Sequence, residues 1–188
     1  MENNMIILEE SKKYLNDPRV KWIYENLYGE FEDFTVNIDD NNKIIIHGNI
    51  CIPGEYDSIP YKIDEVYGNV VIDNIKEPVY YGNLNSLENF PSKIHGNFIC
   101  KMNPNLISLK GGPEEVDGDF ICVGCGLKDI NEMPKVINGN FYVYKNSIED
   151  LSPVLNSKIK GLIDVEFNPC VNTEIYTKLQ KLNKIAFG

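Results

Sequence analysis

The stretch Leu106-Ile107-Ser108-Leu109-Lys110-Gly111-Gly112-Pro113-Glu114-Glu115-Val116-Asp117-Gly118-Asp119-Phe120-Ile121-Cys122 decides the fold, because its pattern recurs along the chain. A glycine followed by a short apolar segment stands at Gly48, Gly68, Gly96, Gly118, Gly139 and Gly161, spaced by 20, 28, 22, 21 and 22 residues. An apolar residue sits two positions before each of them (Ile46, Val66, Ile94, Val116, Ile137, Ile159). Further apolar residues follow at two and four positions after it, as in Phe98/Cys100, Phe120/Cys122 and Phe141/Val143. Positions of period two face one side of a strand. Between glycines comes an apolar-x-x-apolar pair (Tyr56/Ile59, Leu84/Leu87, Leu106/Leu109, Leu127/Ile130, Ile148/Leu151) and then a proline (Pro60, Pro91, Pro113, Pro134, Pro153). That pair is too short to be a helix and suits an irregular or 3₁₀ return arm. Proline ends the arm and glycine permits a tight corner. One such unit cannot bury its apolar side, but stacked units can, so the pattern predicts a solenoid. Its expected form is a parallel β-sheet of about six rungs with short irregular or 3₁₀ arms.

Solenoid ends expose core and open strand edges, so caps are expected. At the front, Ser11–Leu15 and Pro18–Leu27 read as helices, with Trp22, Ile23, Leu27 and Tyr28 as an apolar face. A strand pair over Phe34–Ile38 and Lys43–Ile46 follows, joined by Asp39-Asp40-Asn41-Asn42. At the back, Asn172 or Thr173 can cap a helix running to about Lys184, with Ile175, Leu179 and Leu182 on one face. The organisation read from sequence is therefore an N-terminal cap over 1–43, a repeat solenoid over 44–167 and a helical C-terminal cap over 168–188.

The units from Leu106 to Cys122 and from Leu127 to Val143 resemble the short leucine-rich-repeat-like proteins of tailed phages and large DNA viruses. Their pattern runs Leu-x-x-Leu-x-Gly-x-Pro-x-x-Val-x-Gly-Asp-Phe-x-Cys. The resemblance spans 44–167 and is closest over 84–145. It implies a curved solenoid with a binding role and brings no catalytic residues. The sequence departs from the pattern in carrying apolar residues at the third position after the glycine (Val71, Ile99, Ile121, Tyr142). It also carries about seven extra residues near Asp73–Asn85.

Composition narrows the function. The net charge of −10 disfavours nucleic acid and anionic lipid as direct partners and suits a basic protein. The acids are concentrated early: Glu25, Glu30, Glu32, Asp33, Asp39 and Asp40 lie between Trp22 and Asn42 with no Lys or Arg among them. No run of 18 apolar residues exists and the first residues lack a secretory pattern, so a cytoplasmic protein with no membrane span is expected. Five cysteines, an odd number, read as free thiols. A single Ala and a single Arg beside abundant Asn, Ile, Lys and Tyr point to an AT-rich genome.

No phosphate loop, paired-His motif or nucleophile elbow appears, so neither an enzyme nor a cofactor is expected. Cys122-Val123-Gly124-Cys125 is a lone C-x-x-C with Cys100 one rung away. Core thiols are the favoured reading and no metal is assigned. His47 and His95 read as corner residues two repeats apart. Asn49, Asn69, Asn97, Asp119 and Asn140 read as corner residues bonding their own backbone. The expected site is the outward face of the sheet: Ile99, Ile121, Val123, Tyr142 and Tyr144, flanked by Tyr80 and Tyr81, binding another protein. With the resemblance, this becomes a phage-encoded inhibitor of a host or defence protein. The alternatives are an acidic decoy using the N-terminal acids, and a self-associating structural protein.

Overall fold

The repeated glycine is a corner between two sheets, not a point within one strand. A computed structural model describes residues 12–29, 34–73, 81–171 and 173–186. Over these the chain forms a β-solenoid of about five turns with two parallel sheets and short helices near the ends. The first sheet holds β2 (Ile44–His47), β4 (Glu65–Tyr67), β6 (Lys93–Ile94), β8 (Glu115–Val116), β10 (Val136–Ile137) and β12 (Lys158–Ile159), fronted by the antiparallel β1 (Thr35–Ile38). The second holds β3 (Ile50–Pro53), β5 (Val70–Asp73), β7 (Phe98–Lys101), β9 (Phe120–Val123), β11 (Phe141–Tyr142) and β13 (Ile163–Asp164). The expected single sheet is thus corrected to two. Residues before the glycine line one wall of the core, and those after it line the other.

Close approach fixes glycine at the corner. A Cβ on Gly118 would stand 2.3 Å from Asn97 Oδ1 and 2.8 Å from the Gly96 carbonyl oxygen, and the same crowding recurs at Gly68, Gly96, Gly139 and Gly161. Into that space the Gly118 N–H donates to Gly96 O at 2.9 Å, as Gly139 does to Gly118 at 3.0 Å and Gly161 to Gly139 at 2.9 Å. The asparagine row beside it is a ladder between rungs. Asn49 Oδ1 accepts from Asn69 N, Asn69 from Asn97 N, Asn97 from Asp119 N and Asp119 from Asn140 N, each at 2.7 Å, and Asn140 from Leu162 N at 2.8 Å. The row is structural, but its bonds run to the next rung's backbone rather than to each residue's own.

The core follows the period. Ile50, Ile52, Val70, Ile72, Phe98, Cys100, Phe120, Cys122, Phe141, Val143, Ile163 and Val165 are all buried. So are the apolar arm pairs, apart from Tyr56, which is half-buried. Phe98 and Phe120 stack at 4.9 Å between ring centroids and Phe120 meets Phe141 at 5.5 Å. The arms are mostly irregular, and a 3₁₀ turn forms at Ser152–Asn156, where a proline starts it.

The ends close the second sheet at both edges. Helix α1 (Pro18–Asn26), capped by Asp17, buries Val20, Ile23 and Tyr24; Leu27 is buried just beyond it and Trp22 only partly. Tyr28 then bridges Cys51 of β3, with the Cys51 N–H donating to Tyr28 O at 2.7 Å. The expected front strand pair is β1 on β2, its turn held by Asp39 Oδ1, which accepts from Asn41 N and Lys43 N. The earlier helix expected at Ser11–Leu15 falls partly outside the described residues, and 13–16 form a turn. At the back, helix α2 (Glu174–Lys181) is capped by Thr173. It buries Tyr176 and Leu179, whereas Leu182, expected on that face, is 61% exposed because the helix ends before it. Ile185 bridges β13, and Lys184 Nζ donates to the carbonyls of Ile159, Lys160 and Gly161.

Candidate functional site

The corner that follows each strand of the second sheet has its own chemistry, which the period-two reading does not reveal. Six residues after the repeat glycine the backbone is left-handed in four successive rungs: Met102 (φ 55°), Gly124 (φ 63°), Lys145 (φ 55°) and Phe167 (φ 57°). Only one of the four is glycine. Non-glycine residues pay strain there and need support from their surroundings. The support comes from the next residue, a buried asparagine in three of the four rungs. Asn146 Oδ1 accepts from Leu127 N at 3.2 Å while its Nδ2 donates to Cys122 O at 2.8 Å and Val143 O at 2.9 Å. Asn168 does the same for Ile148 N, Val143 O and Val165 O, and Asn103 bonds Leu84 N and Lys101 O. The signal was present in sequence as Asn103, Asn146 and Asn168, each seven residues after its glycine.

These corners place side chains at the edge of the outward face. Ile99, Ile121, Tyr142 and Tyr144 are half-buried on it, with Ile99 in register with Ile121, and Ile121 with Tyr142. Ile121, Tyr142 and Tyr144 line a groove of about 440 Å³ together with Lys101, Lys145, Asp164, Glu166 and Phe167. Phe167 is 72% exposed, and Lys145 Nζ lies 5.9 Å from its ring centroid. Burial raises the Tyr142 hydroxyl above its ordinary pKa, and Asp119 and Asp164 add to the shift. Sequence reasoning missed Phe167, since only the left-handed corner turns it outward.

One expected member of the face does not join it. Val123 is only 6% exposed, because this small side chain is flanked in the same row by the larger Lys101 and Tyr144. Tyr81 is exposed, next to Gly82, whose N–H donates to Met102 O. Tyr80 lies outside the described residues, as do Glu30, Glu32 and Asp33 of the acidic set. Of the other acids, Glu25 pairs with Lys21 at 3.7 Å, Asp39 holds its turn and Asp40 is exposed. A larger groove of about 490 Å³ lies over the arms, lined by Gly112, Pro113, Glu114, Met133, Lys135 and Pro153 among others. Its charged pair, Glu114–Lys135 at 2.7 Å, is already satisfied.

On the first sheet, His47 and His95 do not touch but sandwich Tyr67, with ring centroids 4.7 and 4.0 Å apart. His95 Nε2 lies 2.6 Å from Glu65 Oε1 and Nδ1 lies 2.9 Å from Asp117 Oδ2. Both ring nitrogens therefore have carboxylate partners.

All five cysteines are free and buried. Three of them converge: Cys125 Sγ is 3.7 Å from Cys122 Sγ and 3.9 Å from Cys100 Sγ, and all three lie within 4.8 Å of one another. Hydrogen bonds from Cys100 and then Cys122 pull the Cys125 thiol down to about 4. The Cys122 thiol is pushed well up, first by its bond with Cys100 and then by that with Cys125.

No helix among the described residues is long and apolar enough to cross a membrane. The chain matches no protein-family model, no curated protein and no solved structure.

Proposed function

We propose that the chain is a leucine-rich-repeat-type module that binds another protein through the outward face of its second sheet. The observation that carries this reading is the groove around Ile121, Tyr142, Tyr144 and Phe167. Contiguous aromatic and aliphatic side chains left uncovered on an open sheet are characteristic of partner sites. The repeat type is supported by Phe141-x-Val143-x-x-Asn146-x-Ile148 and its equivalent Phe120-x-Cys122-x-x-Cys125-x-Leu127. Both follow the strand and ladder consensus Leu-x-Leu-x-x-Asn/Cys-x-Leu of leucine-rich repeats.

The partner is a protein segment with an aromatic or aliphatic anchor and a basic flank. The anchor fits between Tyr142 and Phe167, and the flank meets Glu166 within the field of a chain of net charge −10. The resemblance to phage and viral repeats supplies the setting, a host protein bound and inhibited in the cytoplasm. The test is selection of peptides from a random display library on the wild type, followed by binding to Tyr142→Asp/Phe167→Asp. Both side chains point outward, so the double variant keeps its fold. Selected peptides should carry such an anchor with Lys or Arg beside it, weaken as salt rises and lose at least about tenfold in affinity on the variant, since one hot-spot side chain contributes about 2 kcal/mol. Peptides that bind the variant equally well would refute the face. Self-association of the wild type that this variant abolishes would replace the heterologous partner by a second copy.

A further inference from the structure

We propose that Cys100, Cys122 and Cys125 form a binding site for one soft d10 metal ion, with Cu(I) as the best match.

The starting point is the departure of one rung from its neighbours. Seven residues after the glycine, the rungs on either side carry Asn103 and Asn146, whose amides satisfy buried backbone groups. At that position the intervening rung has Cys125. Its Sγ reaches the equivalent carbonyls, Cys100 O and Val123 O, only at 3.9 and 3.7 Å. A thiol is a weak donor, so these contacts replace amide contacts of 2.8 Å to Cys122 O and 3.3 Å to Tyr144 O in the next rung with poorer ones. The amide acceptor is lost as well, and Leu106 N turns instead to Asn103 O at 3.0 Å. Cysteine, the other residue that the repeat consensus admits here, therefore bonds these backbone groups less well than the asparagine of the neighbouring rungs.

What the substitution provides is sulfur. Cys100 and Cys122 are the fourth residues after their own glycines and face each other in register across β7 and β9. Cys125 closes the triangle. Four-coordinate zinc with Zn–S bonds of about 2.3 Å places its sulfurs about 3.8 Å apart, and the two short Sγ–Sγ distances of 3.7 and 3.9 Å already have that span. The spacing suits a thiolate-bound ion, and the donor count among the described residues, three thiols, distinguishes which. The nearest side-chain amide, Asn103, has Oδ1 committed to Leu84 N and presents Nδ2 to Cys100 Sγ at 3.4 Å. It is a donor to a thiolate, the kind of outer contact that supports metal ligands, rather than a fourth ligand. Zinc needs that fourth ligand in a closed site; Cu(I) accepts sulfur alone.

A second departure in the same rung points the same way. Gly124 is the one glycine in the left-handed row, and a Cβ there would stand 2.6 Å from Met102 Sδ. Its absence lets the half-buried Met102 thioether lie over the residue that precedes Cys125. Cys125 is itself the least buried of the three thiols, at 8% exposure. A soft thioether thus lies beside the residue next to Cys125. Cys125, the most exposed of the three, is the first ligand met by an entering ion. Each thiol that binds gives up its proton to water, and no change of oxidation state is needed when copper arrives as Cu(I).

The experiment is anaerobic titration of the reduced protein with Cu(I) against a chromophoric copper chelator, with native mass spectrometry counting copper per chain. The wild type should bind one Cu(I), with ultraviolet thiolate-to-copper charge transfer. Cys125→Asn restores the ladder residue of the neighbouring rungs and should keep the fold. It should lose at least about a hundredfold in affinity, because even outer contacts of a metal ligand contribute about 10–100-fold. On the wild type alone, bound copper should slow alkylation of Cys125, the most exposed of the three, and leave Cys51 and Cys170 unchanged. No uptake, equal binding by Cys125→Asn, or shielding of Cys51 or Cys170 would overturn the site. Preference for Zn(II) at the same three thiols would overturn the sulfur-only coordination on which copper rests.

Discussion

Gly118→Ala is the sharpest test of the corner, because two effects of opposite sign compete there. Elsewhere, replacing glycine by alanine stabilises by about 0.4–1 kcal/mol through the unfolded chain, provided the native backbone accepts it. At Gly118 the new methyl would meet Asn97 Oδ1 at 2.3 Å and the Gly96 carbonyl oxygen and carbon at 2.8 and 2.9 Å. Neither neighbour can retreat freely. The Asn97 oxygen accepts from Asp119 N at 2.7 Å, and the Gly96 oxygen accepts from Gly118 N at 2.9 Å. Relieving the clash means separating the two rungs and stretching both bonds, at about 1 kcal/mol each. The overpacking that remains adds about 1–3 kcal/mol. Set against the unfolded-state gain, the net is a destabilisation of about 2–4 kcal/mol. Urea denaturation of wild type and variant, with slopes compared, measures it. A variant as stable as the wild type, or more stable, would show that the rungs are not stacked as closely as described and would refute the corner argument.

Phe120→Ala removes the middle ring of the Phe98–Phe120–Phe141 stack and should cost about 3–5 kcal/mol, read from the denaturation midpoint. Asn146→Leu should cost about 2–4 kcal/mol, since the buried Leu127 N–H and the Cys122 carbonyl lose their side-chain partner; hydrogen exchange at Leu127 should accelerate with it. Asp17 is held below its usual range chiefly by the Arg19 guanidinium. With a lowered folded pKa, its contribution is fully present above its unfolded value of about 4 and is lost as pH falls through the folded value. The stability gap between wild type and Asp17→Asn should therefore be constant from neutral pH down to about 5 and narrow below it. A gap that widens on acidification would contradict the pairing.

The core was legible because it obeys a period. Phe98, Phe120 and Phe141 share one offset from a glycine, and nothing competes with the burial of an aromatic ring in a stacked repeat. The second sheet was not legible, because alternation continues in phase across Gly118 whether the chain runs straight or bends. Ile94 and Phe98 look alike in sequence yet line different walls. Only the closeness of successive corner backbones, a contact between residues about 20 apart, sets the bend. For the candidate site, Ile121, Tyr142 and Tyr144 followed from alternation alone. Val123 failed because exposure depends on neighbours in the row, and Lys101 and Tyr144 are larger than it. Phe167 was missed because a left-handed corner residue other than glycine has no single-residue signal; its mark is the asparagine that follows. The thiol cluster lay between: Cys122 and Cys125 were visible as a pair, and the approach of Cys100 followed from register, but their convergence depends on the corner that turns Cys125 inward.

The two asparagine ladders run in opposite directions. At the glycine corner, an earlier rung supplies the oxygen and a later rung the N–H, as Asn97 does for Asp119. At the far corner the dependence reverses, and Asn146 of a later rung completes Leu127 and Cys122 of the one before. Each interior rung so connected leans on both neighbours and is complete on its own in neither direction. Repeat arrays held mainly by apolar contact can peel from one end, turn by turn. Reciprocal dependence couples adjacent turns through buried hydrogen bonds, so loss of one turn orphans polar groups in the next. The turns joined by both ladders are thereby biased to open together, and the groove over Ile121, Tyr142 and Phe167, which lies on such turns, keeps its shape.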